Sequence, residues 1–268
     1  MMPYEAERDA FLQAAERMDG PFVEGMGRIA RECHMWMAFC MIEKPGAKAR
    51  EETEDETCLA LEDETVLVSK DTCLDQERRE NQDCVQADFR CKSRKNRTYN
   101  TAVLLDDQGA VCSIYHKTHV YDAFGERESD RIIPGEKLPE VIDTPLGKIA
   151  LAICYDLRFP ELARHAALAG CQLLIYPAAW VRGDHKALHW QTLLTARAIE
   201  NGIFTAGCSY VDEKYLGESC IVDPYGETMA AGGRQEELVI GEVDLRKVGD
   251  AQAKSLSLVN RRRDLYSD

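Results

Sequence analysis

No two cysteines in this chain are spaced CxxC, although there are eleven of them in 268 residues. That absence argues against a zinc knuckle and against a thioredoxin-type redox pair. The odd cysteine count, behind a start (MMPYEAERDAF) that is acidic where a secretory signal would be basic and then apolar, excludes a disulfide framework and predicts a cytoplasmic location. Long apolar runs are missing too. Ile149–Cys154 and Leu173–Ile175 with its flanks fall far short of the roughly 18 residues a bilayer span needs, so no membrane segment is expected. The chain has no GxGxxG, no P-loop and no GxSxG; GCSYV at 207–211 lacks the last glycine of a serine elbow. Positive charge is scarce: 33 Lys and Arg against 47 Asp and Glu give −14, a field that repels nucleic acid and anionic lipid. The RRR run at 261–263 reads as a solvated charge cluster.

What is present is a globular composition, with 45% apolar and 30% charged residues, and a length that suits one large α/β domain. The charge is concentrated. Residues 51–92 hold 14 acidic and 5 basic residues, repeat EDET at 54–57 and 62–65, and contain Cys58, Cys73, Cys84 and Cys91 at spacings that match no common zinc pattern. Low hydrophobicity and high charge predict a disordered acidic insertion at about 47–96 within a single domain over 1–268.

Around the insertion, helix and strand patterns interleave. Helices are expected over Ala6–Met18, after Pro21 with Phe22, Met26, Ile29, Ala30 and Cys33 on one face, after Pro160, and over Lys186–Asn201 with Leu193, Ala196 and Ile199 inward and Trp190 and Leu194 beside them. Strands are expected over Met35–Ile42, on both arms of a hairpin around Asp107–Gly109, and over Lys148–Cys154, Gln172–Tyr176, Ile203–Cys208, Ser219–Asp223 and Leu238–Val243, with PYGE at 224–227 as a turn.

Cys154 ends an apolar strand immediately before a turn and a helix, where α/β folds present catalytic groups and a helix dipole favours the thiolate. Read alone, it is equally one of several packing cysteines. His185 and His189 are spaced i, i+4 as metal ligands can be, but no third ligand accompanies them, and two helix-surface histidines account for the pattern. No metal or organic cofactor is expected.

Several motifs in one order carry more information than any of these residues singly. YHKTHVYD at 115–122, ESDRIIPG at 128–135, CYDLRFPEL at 154–162, PAAW at 177–180, HWQTLLTARAIEN at 189–201 and GESCIVDPYGE at 217–227 resemble the nitrilase, or carbon-nitrogen hydrolase, superfamily. The resemblance covers about residues 6–46 and 97–268. It implies an α-β-β-α sandwich, a homo-oligomer, and cysteine-dependent hydrolysis of a small linear amide through a thioester. By the same resemblance Cys154 is the nucleophile, Lys117 and the backbone N–H of Tyr155 stabilise the oxyanion, and Glu128 holds the lysine and the substrate. An N-carbamoyl hydrolase and a catalytically impaired member that only binds a ligand or partner are the other readings.

Arg158 suits a substrate carboxylate, or a turn-fixing pair with Asp156 or Glu161; Trp180 suits a pocket wall or core. The chain departs from the family in two respects. An early strand ending in an FPE-like motif, which would carry the base glutamate, is not found, and Glu5, the nearest carboxylate, has no apolar strand before it. The acidic insertion is the second departure. An incomplete gene model and a degenerate paralogue explain both equally.

Overall fold

The computed structural model describes residues 12–46 and 96–266. The expected insertion at 47–96 therefore lies almost wholly outside the described residues, as does Glu5.

Two sheets face each other with helices on their outer sides. The first has the order β1-β2-β3, from β1 (Met37–Glu43), β2 (Tyr99–Leu105) and β3 (Val111–His116), all antiparallel. The second runs β4 (Ile142–Thr144), β5 (Gly147–Leu151), β6 (Leu173–Ala178), β7 (Phe204–Ser209), β8 (Cys220–Val222) and β9 (Thr228–Ala231) in sequence order, with the central pairs β5–β6 and β6–β7 parallel. Helix α1 (Pro21–Cys33) covers the first sheet, and α2 (Pro160–Leu168) and α3 (Lys186–Asn201) accompany the crossovers of the second. A last helix, α4 (Arg246–Ser255), follows β9. The α-β-β-α sandwich implied by the resemblance is thus the observed architecture.

β2 explains why strict alternation fails as a guide here. Val103 and Leu105 pack with Val23 and Ala30 of α1, while Ala102 and Leu104 belong to the core shared with the second sheet, so its apolar run is buried on both faces. The turn between β2 and β3 is tied by Asp106, whose Oδ1 accepts the N–H groups of Gln108 and Ala110. Its Gly109, at φ 75°, sits against Gly27 of α1 so closely that a Cβ on Gly109 would lie 2.2 Å from the Gly27 oxygen. That approach sets α1's inward face as Val23, Gly27 and Ala30. Phe22, Ile29 and Cys33, expected inside, are exposed.

α3 has the expected bounds, stopped by Gly202 in the left-handed region, but its buried face is Lys186, Trp190, Leu194, Arg197, Ala198 and Asn201. Ile199 is half exposed. The expectation followed apolar residues, whereas Arg197 points inward because its Nε donates to the Leu157 carbonyl at 3.1 Å. The helix expected to run to Met18 ends by residue 14, and Glu16 pairs in parallel with Glu43 at the end of β1. Met35 is exposed outside β1. Leu238–Val243 is not a strand; Thr228–Ala231 takes the place beside β8, leaving Leu238 and Ile240 exposed. The PYGE turn is present, closed by Gly226 N–H to the Asp223 carbonyl at 2.9 Å. No helix among the described residues is long and apolar enough to cross a membrane.

Candidate active site

β5 ends at Leu151, and the chain turns through a short 3-10 segment, Cys154–Arg158, before Pro160 opens α2. Cys154 occupies φ 46°, a conformation that L side chains adopt with strain, at the head of this turn. Three of the described cysteines, Cys40, Cys154 and Cys208, line one cavity of about 770 Å³. What separates Cys154 from the others is its surroundings. Burial pushes its thiol above the ordinary value; the Lys117 ammonium and the backbone N–H of Ala179 pull it back down, and Glu128 pushes it up.

Lys117 follows β3 and extends its pairing, its N–H donating to the Asn100 carbonyl at 2.9 Å. The ammonium is only 3% exposed and donates to Glu128 Oε2 at 2.6 Å. Burial alone would lower its pKa, but Glu128, with Cys154 and Asp156, holds it above the ordinary lysine value, so it stays charged. Glu128 Oε2 also accepts the backbone N–H of Tyr121 at 2.5 Å. ESDRIIPG is fixed in turn by Asp122, which accepts the Ser129 N–H and hydroxyl, and by Ile133 N–H to the Thr98 carbonyl at 2.7 Å.

A buried carboxylate joins the two halves of the site. Asp156, fully buried, accepts Tyr115 Oη at 2.9 Å, Ile153 N–H at 2.9 Å, and both the N–H and the Nδ1–H of His119 at 3.0 and 2.8 Å. The expected pairing of Arg158 with Asp156 is therefore corrected: these donors already occupy Asp156, and no contact joins Arg158 to Glu161 among the described residues. Instead the Arg158 NH2 group contacts His189 Nδ1 at 3.3 Å, and its guanidinium lies 5.1 Å from the Trp180 ring centre and 5.6 Å from that of Phe124. Trp180 satisfies both expectations for it, lining the cavity while 4% exposed and donating Nε1–H to the Lys186 carbonyl at 3.0 Å. His185 and His189 have ring centres 6.4 Å apart.

All six residues singled out in the sequence, Cys154, Lys117, Glu128, Tyr155, Arg158 and Trp180, line this one cavity. Sequence reasoning missed Asp156 as a tie, Ala179 as a donor toward the sulphur, and Tyr121 and Lys186 on the wall. Ala179, Asp156 and Tyr121 stood within the quoted PAAW, CYDLRFPEL and YHKTHVYD motifs; no quoted motif contains Lys186.

The sequence profile of the carbon-nitrogen hydrolase family matches residues 84–253. The chain belongs to the carbon-nitrogen hydrolase family. Among its relatives, the putative protein YbeM of Escherichia coli (strain K12) is 40% identical over 170 residues, covering 63% of this chain and 90% of that protein. The deaminated glutathione amidase of Escherichia coli O157:H7 is 40% identical over 170 residues, covering 63% of this chain and 64% of that protein. Human omega-amidase NIT2 is 35% identical over 179 residues, again 63% of this chain and 64% of that protein. The chain thus spans just under two thirds of the amidase relatives' length.

Solved structures share the fold. The Caenorhabditis elegans NitFhit protein superposes with a TM-score of 0.72 at 24% identity over 99% of this chain and 55% of that one. A cysteine-to-alanine mutant of the Nesterenkonia AN1 amidase, from the nitrilase superfamily, does so with 0.54 at 31% identity over 63% of this chain and 61% of that one.

Proposed function

We propose that this carbon-nitrogen hydrolase cleaves the C–N bond of a small linear amide by covalent catalysis at Cys154, as one domain interrupted by the acidic segment. One observation carries the reading: the Cys154 thiol lies within electrostatic reach of a buried ammonium, Lys117, that Glu128 fixes at 2.6 Å, and both line one cavity. The Cys154 sulphur attacks the amide carbon as the thiol gives up its proton, which the departing nitrogen finally carries, and the carbonyl oxygen takes the negative charge. Lys117 and the backbone N–H of Tyr155 stabilise that oxyanion, an effect worth about 3–4 kcal/mol per well-placed donor where water is excluded. The C–N bond then breaks and the amine leaves with a proton, giving a thioester. Water adds to the thioester carbon, the C–S bond breaks, and the carboxylic acid departs with the thiol restored. The deaminated glutathione amidase and omega-amidase names of the relatives support this chemistry.

The protein is proposed to act in the cytoplasm and as a homo-oligomer. The exposed Leu238, Ile240, Val259 and Leu265 support association, which light scattering would detect.

Ammonia release from a panel of small amides tests the activity. The expected result is release by the native chain and none by Cys154→Ala. Unchanged release by Cys154→Ala would overturn the nucleophile. Carbon dioxide alongside ammonia would show an N-carbamoyl substrate instead, and binding without release would show an impaired member.

A further inference from the structure

We propose that Cys40 and Cys154 form an oxidative modification site: a peroxide oxidises Cys154, and Cys40 captures the product as a disulfide. Nothing in this pairing requires amide turnover, so it stands apart from the hydrolase reading.

The sheet register brings the two thiols to one place. Cys40 lies opposite Ala102, and Ala102 opposite Tyr115, so the three share one row across β1, β2 and β3. That row faces the second sheet: Ala102 and Tyr115 belong to the core shared with it, and Cys40 and Cys154 both pack against that core. At the end of the row the Tyr115 hydroxyl donates to Asp156, two residues after Cys154. β1 also packs against β6, and Ala179, just beyond the end of β6, donates its N–H toward the Cys154 sulphur. Both cysteines line the same cavity, which a small peroxide can enter.

Their surroundings divide the roles. Burial pushes the Cys154 thiol up, but Lys117 and the Ala179 N–H pull it back toward the thiolate. Burial pushes the Cys40 thiol up as well, and there the negative charge of Cys154 adds to the effect and outweighs the pull of Lys117. Cys154 is therefore the sulphur that meets an oxidant first, and Cys40 remains a protonated thiol beside it. The exposed Cys208 lines the cavity too, but it acts on Cys40 less than Cys154 does.

The chemistry balances with a peroxide as oxidant. The Cys154 sulphur attacks one peroxide oxygen, the O–O bond breaks, and the other oxygen leaves as an alcohol or water carrying the thiol's proton, which gives a sulfenic acid. The Cys40 sulphur then attacks the Cys154 sulphur, the S–O bond breaks, and the hydroxyl departs as water with the Cys40 proton. An external dithiol reduces the disulfide and restores both thiols. Without Cys40 the sulfenic acid is open to a second peroxide and to the irreversible sulfinic acid.

The test treats the full chain with tert-butyl hydroperoxide, caps remaining thiols with N-ethylmaleimide and reads intact mass and a tryptic map. Fragment spectra separate Cys40 from Cys33, which shares its tryptic peptide. The native chain should lose two free thiols, yield a linked Cys40–Cys154 peptide and regain both thiols in dithiothreitol. In Cys40→Ala, and in Cys40→Ser, which keeps the side chain's size, Cys154 should reach the sulfinic acid at least about tenfold faster than in the native chain and resist dithiothreitol. The native map decides by itself if either variant fails to fold. A Cys154 that stays a thiol, a Cys154 linked to Cys208 or any other cysteine, or equal sulfinic acid formation with and without Cys40 would overturn the proposal.

Discussion

Asp156 accepts the backbone N–H of His119 at 3.0 Å and its imidazole Nδ1–H at 2.8 Å, so the residue two places after Cys154 is bound to the residue two places after Lys117. Cys154 and Lys117 follow strands of different sheets, and this contact sets their spacing. Asp156→Asn keeps one oxygen for His119 but turns an amide N–H toward the buried N–H of Ile153, which loses its acceptor. Leaving such a donor unsatisfied costs about 1–3 kcal/mol. Urea unfolding should show that loss, and iodoacetamide labelling of Cys154 should become less dependent on Lys117 as the two drift apart.

Lys117 lowers the Cys154 pKa against the stronger effect of burial. Lys117→Met should therefore raise it, and at pH 8 iodoacetamide should alkylate Cys154 about tenfold more slowly, since each pKa unit is a tenfold change in thiolate. A mass-spectrometric time course measures this without any substrate. An unchanged rate would mean that the ammonium does not act on the sulphur.

Gly207 in β7 packs beneath α3, and a Cβ there would stand 2.4 Å from Trp190 Cζ2 and 2.6 Å from Leu194 Cδ1. Gly to Ala in a strand ordinarily stabilises by restricting the unfolded chain. Here overpacking dominates, and Gly207→Ala should lose about 1–3 kcal/mol, read as a lower Tm.

Asp223 is fully buried, and although burial favours its neutral form, Lys247 Nζ at 2.8 Å and the N–H groups of Glu227 and Tyr225 hold its pKa below the ordinary carboxylate value. A depressed carboxylate contributes stability above its unfolded pKa, near 4, and loses it as pH falls through the lower folded value. The stability gap between the native chain and Asp223→Asn should therefore be constant from pH 6 to about 5 and shrink below about pH 4. Urea midpoints at each pH would show it; a gap that widens on acidification would contradict the sign.

Much of this site was legible in the sequence because its parts sit in contiguous motifs: strand, Cys154, turn and Pro160 follow one another in the chain. The faces of the helices were less legible. Arg197 and Asn201 are polar residues on the buried side of α3, so counting apolar positions rotated that helix by about one residue. Leu238–Val243 carries a strand's composition, yet the neighbouring place in the sheet goes to Thr228–Ala231, which reaches it through a tight turn. The contact of Lys186 with Tyr121 spans 65 residues of sequence and belongs to no local pattern, so only the folded chain reveals it.

The positive φ of Cys154 has a consequence for how such a protein ages in evolution. Holding a residue with a Cβ in that conformation costs about 1–2 kcal/mol, against a total stability of about 5–15 kcal/mol. Glycine would relieve the strain and remove the thiol in the same step, so Cys154→Gly should match or exceed Cys154→Ala in stability, the reverse of the usual order. With Cys154 as the proposed nucleophile, selection for a sturdier fold and selection for turnover pull residue 154 in opposite directions. A lineage released from catalysis would be free to drift toward glycine there, and the identity of that single residue would record when its chemistry ceased to matter.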